Sequence, residues 1–430
     1  MIQRNLPFLL LFFTIAASAQ DSLRLSDCYQ LAIQNSPINK QKQLYTEAAD
    51  ARIASVGTVY LPSVNVNAQA TYQSDVTKLA LDFSKINPNL STPEGLSKDQ
   101  YKATLDVSQL IYDGGLTPSR KEAERATANT QIKSSETELY QLNDRVNQLF
   151  FALLMVQENT KSLKLTQNEL ATRIKLLESG VKNGSVLSSS LNQIKAEYLK
   201  IGQNIVELNS QAINLYSSIS ELIGKNIEVN TPIAKPNFTS LTALKAERPE
   251  RELFELQKTS FEQNKTIISA GNMPKLAAFG QLGYGKPGLN MLENEFKTFY
   301  IVGVKLSWNV FDWNQRKNDI KYLSIQQNLV DTRREAFDLN QRIVSKSEIQ
   351  NIDKYQKLVN SDKEILALRT DVLSVQRSRF ENGTIDVADY LAAVNAETIA
   401  RISLTMHELQ SVQAQANLLF INGKLNTQNQ

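Results

Sequence analysis

The chain has 430 residues, 42% of them hydrophobic and 21% charged, with a formal net charge of +3. Its mean hydropathy is -0.31, and no internal apolar run reaches the ~18 residues of a spanning helix, although an alternating β-barrel would escape such a test. One cysteine, Cys28, and one histidine, His407, exclude a disulfide framework, a structural zinc cluster and a histidine-built metal site, and near-balanced charge gives no field for nucleic acid.

Residues 1–19 read as a secretory signal: Arg4 supplies the positive end, Leu6 to Ala17 the apolar core, and Ala17-Ser18-Ala19 the cleavage site. Cys28 follows Leu25-Ser26-Asp27, too far from that core and with an acidic neighbour that suits lipidation poorly, so it is expected to be a buried thiol.

After Pro62 the period is two. Val64, Val66, Ala68, Ala70 and Tyr72 alternate with Asn65, Asn67, Gln69, Thr71 and Gln73, and a second strand sets Tyr101, Ala103, Leu105 and Val107 against Lys102, Thr104, Asp106 and Ser108. From Ser119 to Ile223 there is no proline, which predicts long helices. Leu142, Leu149, Val156, Leu163, Leu170 and Leu177 recur every seventh residue. A second seam runs from Leu187 through Leu191, Ile194, Ile201 and Ile205 to Leu222. At about 1.5 Å per residue the first helix would reach roughly 100 Å, too long for a compact domain.

The pattern then repeats. Gln109-Leu110-Ile111-Tyr112-Asp113 matches Trp308-Asn309-Val310-Phe311-Asp312, Lys182-Asn183-Gly184-Ser185 matches Glu381-Asn382-Gly383-Thr384, and Ile223-Gly224-Lys225 matches Asn422-Gly423-Lys424, all at one offset. The chain is therefore read as a signal (1–19) and two copies of one repeat, 20–224 and 225–430. In the second, Leu276, Ala278, Gly280, Leu282 and Tyr284, then Tyr300, Val302, Val304, Leu306 and Trp308, form the apolar faces of two more strands. Phe279 and Ile301 break the polar side. Leu323, Val330, Phe337 and Val344, and then Ile352, Val359, Leu366, Leu373 and Phe380, mark the returning seam. His407 falls within this helical pattern, without a nucleophile motif beside it, and is expected on the helix surface.

Asn183-Gly184 and Asn382-Gly383 interrupt the helices, each followed by a hydroxyl residue, Ser185 or Thr384. A left-handed glycine stop and a hydroxyl N-cap predict two tight helical hairpins. Strands of ~10 residues can cross a bilayer. Aromatics mark both ends: Tyr60, Tyr112, Trp308, Phe311 and Trp313 near the helices, and Tyr72, Tyr101, Tyr284 and Tyr300 beyond. A soluble sandwich would alternate in the same way. Export and the long helices favour a membrane barrel. Because four strands cannot close a cylinder, several chains must share one.

With Leu61-Pro62-Ser63-Val64, the Leu110 to Gly115 turn and the glycine-centred tip from Phe380 to Glu397, in this order and duplicated, the sequence resembles the TolC family of outer-membrane efflux channels. The resemblance spans essentially the whole chain after the signal. It implies a mixed α/β membrane protein: a homotrimer with four strands per chain in a shared barrel and helical hairpins forming a periplasmic α-barrel. It also implies a passive exit duct in the outer membrane, without cofactor or catalysis, served by a periplasmic adaptor and an inner-membrane transporter of the RND, ABC or MFS type.

By the same resemblance Asp389 would face the pore at the periplasmic aperture, with Asp386 beside it and Ser190 at the equivalent place in the first copy. The family's second aperture aspartate falls at Ala392, and Phe380 and Ile385 replace polar residues that tie closed tips, so no polar lock is transferred. Asp386 and Asp389 would equally complement the positive end of the returning helix. Adaptor contact would fall at Gly184, Ser185, Val186 and Leu187 and at Gly383, Thr384, Ile385, Asp386 and Val387, residues that could instead serve only as caps. The competing readings are a secreted structural coiled-coil protein without a pore and an exported hydrolase. The strands oppose the first, and the lack of a paired nucleophile and base opposes the second.

Overall fold

A computed structural model of the protein describes residues 22–77, 95–238 and 248–425. The expected signal, 1–19, and most of the first hairpin loop lie outside them. The elements in chain order are helices α1 (Leu25–Asn35) and α2 (Gln41–Gly57), strands β1 (Ser63–Tyr72) and β2 (Asp99–Tyr112), helices α3 (Leu116–Lys182), α4 (Ser188–Ile223) and α5 (Pro249–Gly271), strands β3 (Lys275–Lys286) and β4 (Lys297–Ser307), and helices α6 (Gln315–Glu381) and α7 (Val387–Ile421). Among the described residues no helix is long and apolar enough to cross a membrane. The chain divides into two compact units: Met1–Asn39, Glu136–Pro249 and Asp338–Gln430 form one, and Lys40–Ser135 and Glu250–Phe337 the other.

The second unit holds the sheet, a four-stranded antiparallel meander in the order β1-β2-β3-β4. The expected alternation sets its register. Val66, Leu105, Leu282 and Tyr300 lie side by side on one face, and Asn65, Asp106, Gln281 and Ile301 on the other. A bulge between Leu110 and Tyr112 pairs Tyr112 with Leu276, returning its ring to the apolar face. On the polar face Asp106 accepts hydrogen bonds from Asn67 Nδ2 (2.7 Å), Thr104 Oγ1 (2.8 Å) and Gln281 Nε2 (2.5 Å), which pins three strands to one carboxylate.

Of the two exceptions, Phe279 has a packing reason, which Phe299 on the same face shares. Phe279 lies opposite Gly303 and Phe299 opposite Gly283. A Cβ on Gly283 would sit 2.0 Å from the Phe299 ring, and one on Gly303 2.8 Å from that of Phe279. Each ring covers a bare glycine backbone, so polarity gives way to cross-strand fit.

Where β2 runs into α3, Asp113 is buried and its carboxylate accepts from the backbone N–H groups of Gly115 (3.0 Å) and Thr117 (2.6 Å) and from the Tyr60 hydroxyl (2.8 Å). Burial pushes this carboxyl up, but those donors outweigh it and hold it below the ordinary carboxylate range. Gly114 and Gly115 take positive φ of 71° and 84°. Asp312 repeats the cap before α6, with Trp313 and Asn314 at φ 52° and 64° in place of the glycines.

In the first unit the predicted helical seams turn inward to different depths: Leu170, Leu177, Leu191, Ile194, Ile201, Ile205 and Leu373 are buried, Leu142, Leu149, Ile352, Val359 and Leu366 half-buried, and Leu187 is exposed. One cluster joins Cys28 and Tyr29 of α1 to Phe150 and Phe151 of α3, Tyr216 and Ile219 of α4, and Leu409 and Leu419 of α7. The Tyr29 hydroxyl donates to Asn147 within it. Burial pushes the Cys28 thiol up to about 12, which leaves it protonated and inert at neutral pH.

Candidate periplasmic aperture

Both tips form by the same backbone device. In the first, Gly184 (φ 72°) sends its N–H to Val181 O (3.1 Å) and Ser185 N–H reaches back to Gly180 O (2.9 Å). In the second, Gly383 (φ 69°) donates to Phe380 O (3.0 Å) and Thr384 N–H to Arg379 O (2.9 Å). This paired closure needs a left-handed residue that glycine supplies without a Cβ penalty.

The hydroxyls do not start the returning helices as the sequence suggested. Ser185 Oγ donates to Gly180 O (3.1 Å) and Thr384 Oγ1 to Arg379 O (2.9 Å), so both close the outgoing helix. A reversal through left-handed glycine brings the following hydroxyl onto the unpaired carbonyls behind it. Helix α4 starts at Leu187 without a side-chain cap, whereas α7 is capped by Asp386, whose Oδ1 accepts from Asp389 N–H at 3.0 Å.

The sequence-selected residues fall at these two tips. Asp386 and Asp389 are exposed, as is Ala392 one turn on, and Ser190 is half-buried in the first turn of α4. Gly184, Ser185, Leu187, Gly383 and Thr384 are exposed, and Val186 and Ile385 half-buried. Val387, 4% exposed, belongs to the apolar interior of the tip and supports the loop from behind.

That interior answers the loss of polar residues at Phe380 and Ile385. Phe380 stacks on Tyr390, with centroids 4.8 Å apart and planes 6° from parallel. Both aromatics and Ile385 pack with Leu177, Leu191, Leu373 and Val394. Above this clasp runs a polar network that sequence reading missed. Glu169 of α3 accepts from Arg377 Nε (3.1 Å) and Nη2 (2.5 Å) on α6 and from the buried Tyr390 hydroxyl (2.9 Å) on α7. One turn on, Arg173 Nη1 meets Glu381 Oε1 at 2.5 Å, with acid and base exchanged between the helices. Burial and the Glu169 carboxylate push the Tyr390 phenol up to about 12. The sequence signal was present as Glu169/Arg173 and Arg377/Glu381, two one-turn pairs of reversed polarity.

His407 departs from expectation. It is half-buried, its Nδ1 lies 2.5 Å from Oδ2 of the buried Asp362, and its ring sits 6.1 Å from that of Tyr355. It ties α7 to α6.

The family described as Outer membrane efflux protein matches residues 28–225 and 243–424. No curated protein sequence matches significantly. Among solved structures the chain is similar to the outer membrane protein VceC of Vibrio cholerae, at 14% identity and a TM-score of 0.66 over 93% of this chain and 96% of that one. It is similar to the Campylobacter jejuni CmeC outer membrane channel, at 15% identity and 0.67 over 94% and 87%. The Neisseria gonorrhoeae MtrE outer membrane channel, in its open state, aligns at 13% identity and 0.66 over 95% and 91%.

Proposed function

The chain belongs to the outer membrane efflux protein family, the TolC family, and on that premise we propose that three copies close one passive exit duct whose periplasmic aperture is formed by the two glycine tips. As a member it is a transport protein and no enzyme, an outer-membrane channel that extends into the periplasm. Solutes cross by diffusion through a wetted lumen, and nothing covalent happens to them.

The observation that carries the assembly is a set of apolar surfaces left open in one chain. Leu199, Val206 and Ile213 recur every seventh residue along α4 and are exposed. Ile365, Leu368, Val372 and Val375 follow the three-and-four spacing of a coiled-coil seam on α6 and are exposed as well. Two unlike unpartnered seams suit a heterologous, ring-closing contact, the α4 seam of one copy against the α6 seam of the next. In the sheet, β1 and β4 have no neighbour on their outer edges among the described residues, and open edges are not tolerated in hydrocarbon. Pairing β4 of one copy with β1 of the next closes a barrel of twelve strands.

Exposed Gly184, Ser185, Leu187, Gly383 and Thr384 are the surfaces we assign to a periplasmic adaptor, through which an inner-membrane transporter of the RND, ABC or MFS type would deliver its cargo. Asp389 would form a ring at the aperture, and Asp386, engaged as a cap, would hold its turn. The two repeats, with the first ending near Gly224 and the second completing the chain, would supply alternate hairpins of the ring.

Cysteines introduced together at Leu199 and Leu368, at equal sequence distances from Gly184 and Gly383, test the arrangement, since native Cys28 is buried. Oxidation of outer-membrane preparations should give covalent dimers and trimers. Monomers alone, from protein that purifies in detergent as a single species, would refute the contact.

A further inference from the structure

The polar face of the sheet, the lumen wall in the channel reading on which this inference rests, carries an unequal charge. Lys102, Lys275 and Lys305 lie on that face, and its one carboxylate within the strands, Asp106, is already engaged by three donors. Lys297, also on it, pairs with Glu293.

At the hairpin-loop end of this wall is a hollow of about 260 Å³. One side is amide and hydroxyl, from Gln69, Thr71, Gln73 and Gln100. The other is apolar, from Phe299, Ile301 and the loop residues Leu289 and Met291, and Lys102 borders it. No carboxylate is among its described lining residues.

The glycines of β3 create the trough. Gly283 and Gly285 present no side chain, so the Phe299 ring reaches across from β4 and lies under Lys102 Nζ, 5.3 Å from ring centroid to ammonium. A cation above an aromatic face, beside aliphatic side chains, offers an apolar seat and a positive charge together. The Leu289 and Met291 side chains are mostly exposed to water, so a ligand that covered them would gain by burial.

We propose that this hollow is an exit-side subsite for amphipathic organic anions, with the ring system of the solute against Phe299, Ile301 and Met291 and its acidic group at Lys102. Charge complementarity selects the anion, because a cation of equal shape would meet the Lys102 ammonium and no acid. The cargo class assigned to the duct is therefore aromatic or amphiphilic acids, held weakly enough at the mouth to leave.

The probe is 8-anilinonaphthalene-1-sulfonate, added to either side of the intact channel in planar bilayers, with ethidium as the aromatic cation of comparable bulk. Block from the hairpin-loop side is expected, and in Lys102→Gln and Phe299→Leu half-block should require about fivefold more dye, the effect of losing one exposed charge pair or one ring contact. Equal block by ethidium, or block untouched by both substitutions, would overturn the subsite while leaving the duct in place. A trimer that conducts nothing would instead overturn the duct. The site is then read directly from dye fluorescence on detergent-solubilised protein, which the same substitutions should weaken and whose insensitivity to them would overturn it.

Discussion

Replacing Glu169 with alanine isolates the force that joins the two helical hairpins of one chain above the tip. Glu169 receives three hydrogen bonds, two from Arg377 and one from Tyr390. The Arg377 side chain is 39% exposed, so solvent screening limits its pair to about 1 kcal/mol. Tyr390 is fully buried, and leaving its hydroxyl without a charged acceptor costs about 1–2 kcal/mol. Together these give roughly 2–3 kcal/mol. If opening of the aperture separates α3 from α6, that energy belongs to the closed state alone, and its loss raises the open-to-closed ratio about 30- to 150-fold. Single-channel recording reads this as open fraction. Glu178→Ala is the control, because Glu178 pairs with Lys195 inside one hairpin (2.8 Å) and should leave the open fraction unchanged. A Glu169→Ala channel with lowered thermal stability and wild-type open fraction would show that the network only stabilises the fold and does not hold the tip closed.

Asp389→Asn should lower cation preference, or block by multivalent cations applied from the tip side, in the same recordings; unchanged selectivity would leave Asp389 as a helix-start residue only. Asp113→Asn should cost about 1–2 kcal/mol near neutral pH, through a weakened helix start and the loss of charge-assisted bonds. Because the folded Asp113 carboxyl lies below the ordinary range, its contribution is complete above the unfolded value of about 3.9 and fades as pH falls through the lower folded value. Thermal melts of wild type and variant should therefore differ at pH 7 and converge only in strong acid, and a constant gap across that range would refute the assignment.

Legibility followed sequence distance. The strands were readable because a period of two fixes which side chains share a face, and pairing then had one register that kept Val66, Leu105, Leu282 and Tyr300 together. The tips were readable because glycine is the cheap route through a left-handed turn. Capping was read less well: Ser185 and Thr384 suit a helix start by type, but the direction of the chain after the turn decides which helix end a hydroxyl reaches. Pairs that close the structure across the sequence leave at most a complementary pattern, Glu169/Arg173 against Arg377/Glu381, which does not say that the two helices lie side by side. Glu169 finds Arg377, and His407 finds Asp362, only once the helices are laid side by side. Each of these side chains, taken alone, matches an ordinary solvated helix position.

The departures within the second copy show how the same backbone is kept by different chemistry. Asp113 and Asp312 both receive backbone N–H groups at the entry to a long helix, yet the two following residues are glycines in one case and Trp313 and Asn314 in the other. The turn is therefore held by the aspartate, and positive φ at Trp313 is a strain of roughly 1–2 kcal/mol that the cap helps to offset. What that strain provides is an indole, 82% exposed and 4.7 Å from the Phe311 ring, at the helix-proximal end of β4. At a membrane boundary an exposed aromatic pair has a place to be buried, and a glycine has none. The polar face follows the same logic. Phe279 and Phe299 stand where alternation calls for polar side chains, each over the glycine opposite it. Glycine removes bulk from the wall and the ring restores cover to its backbone, leaving an aromatic surface under Lys102 that polar alternation alone would not have provided.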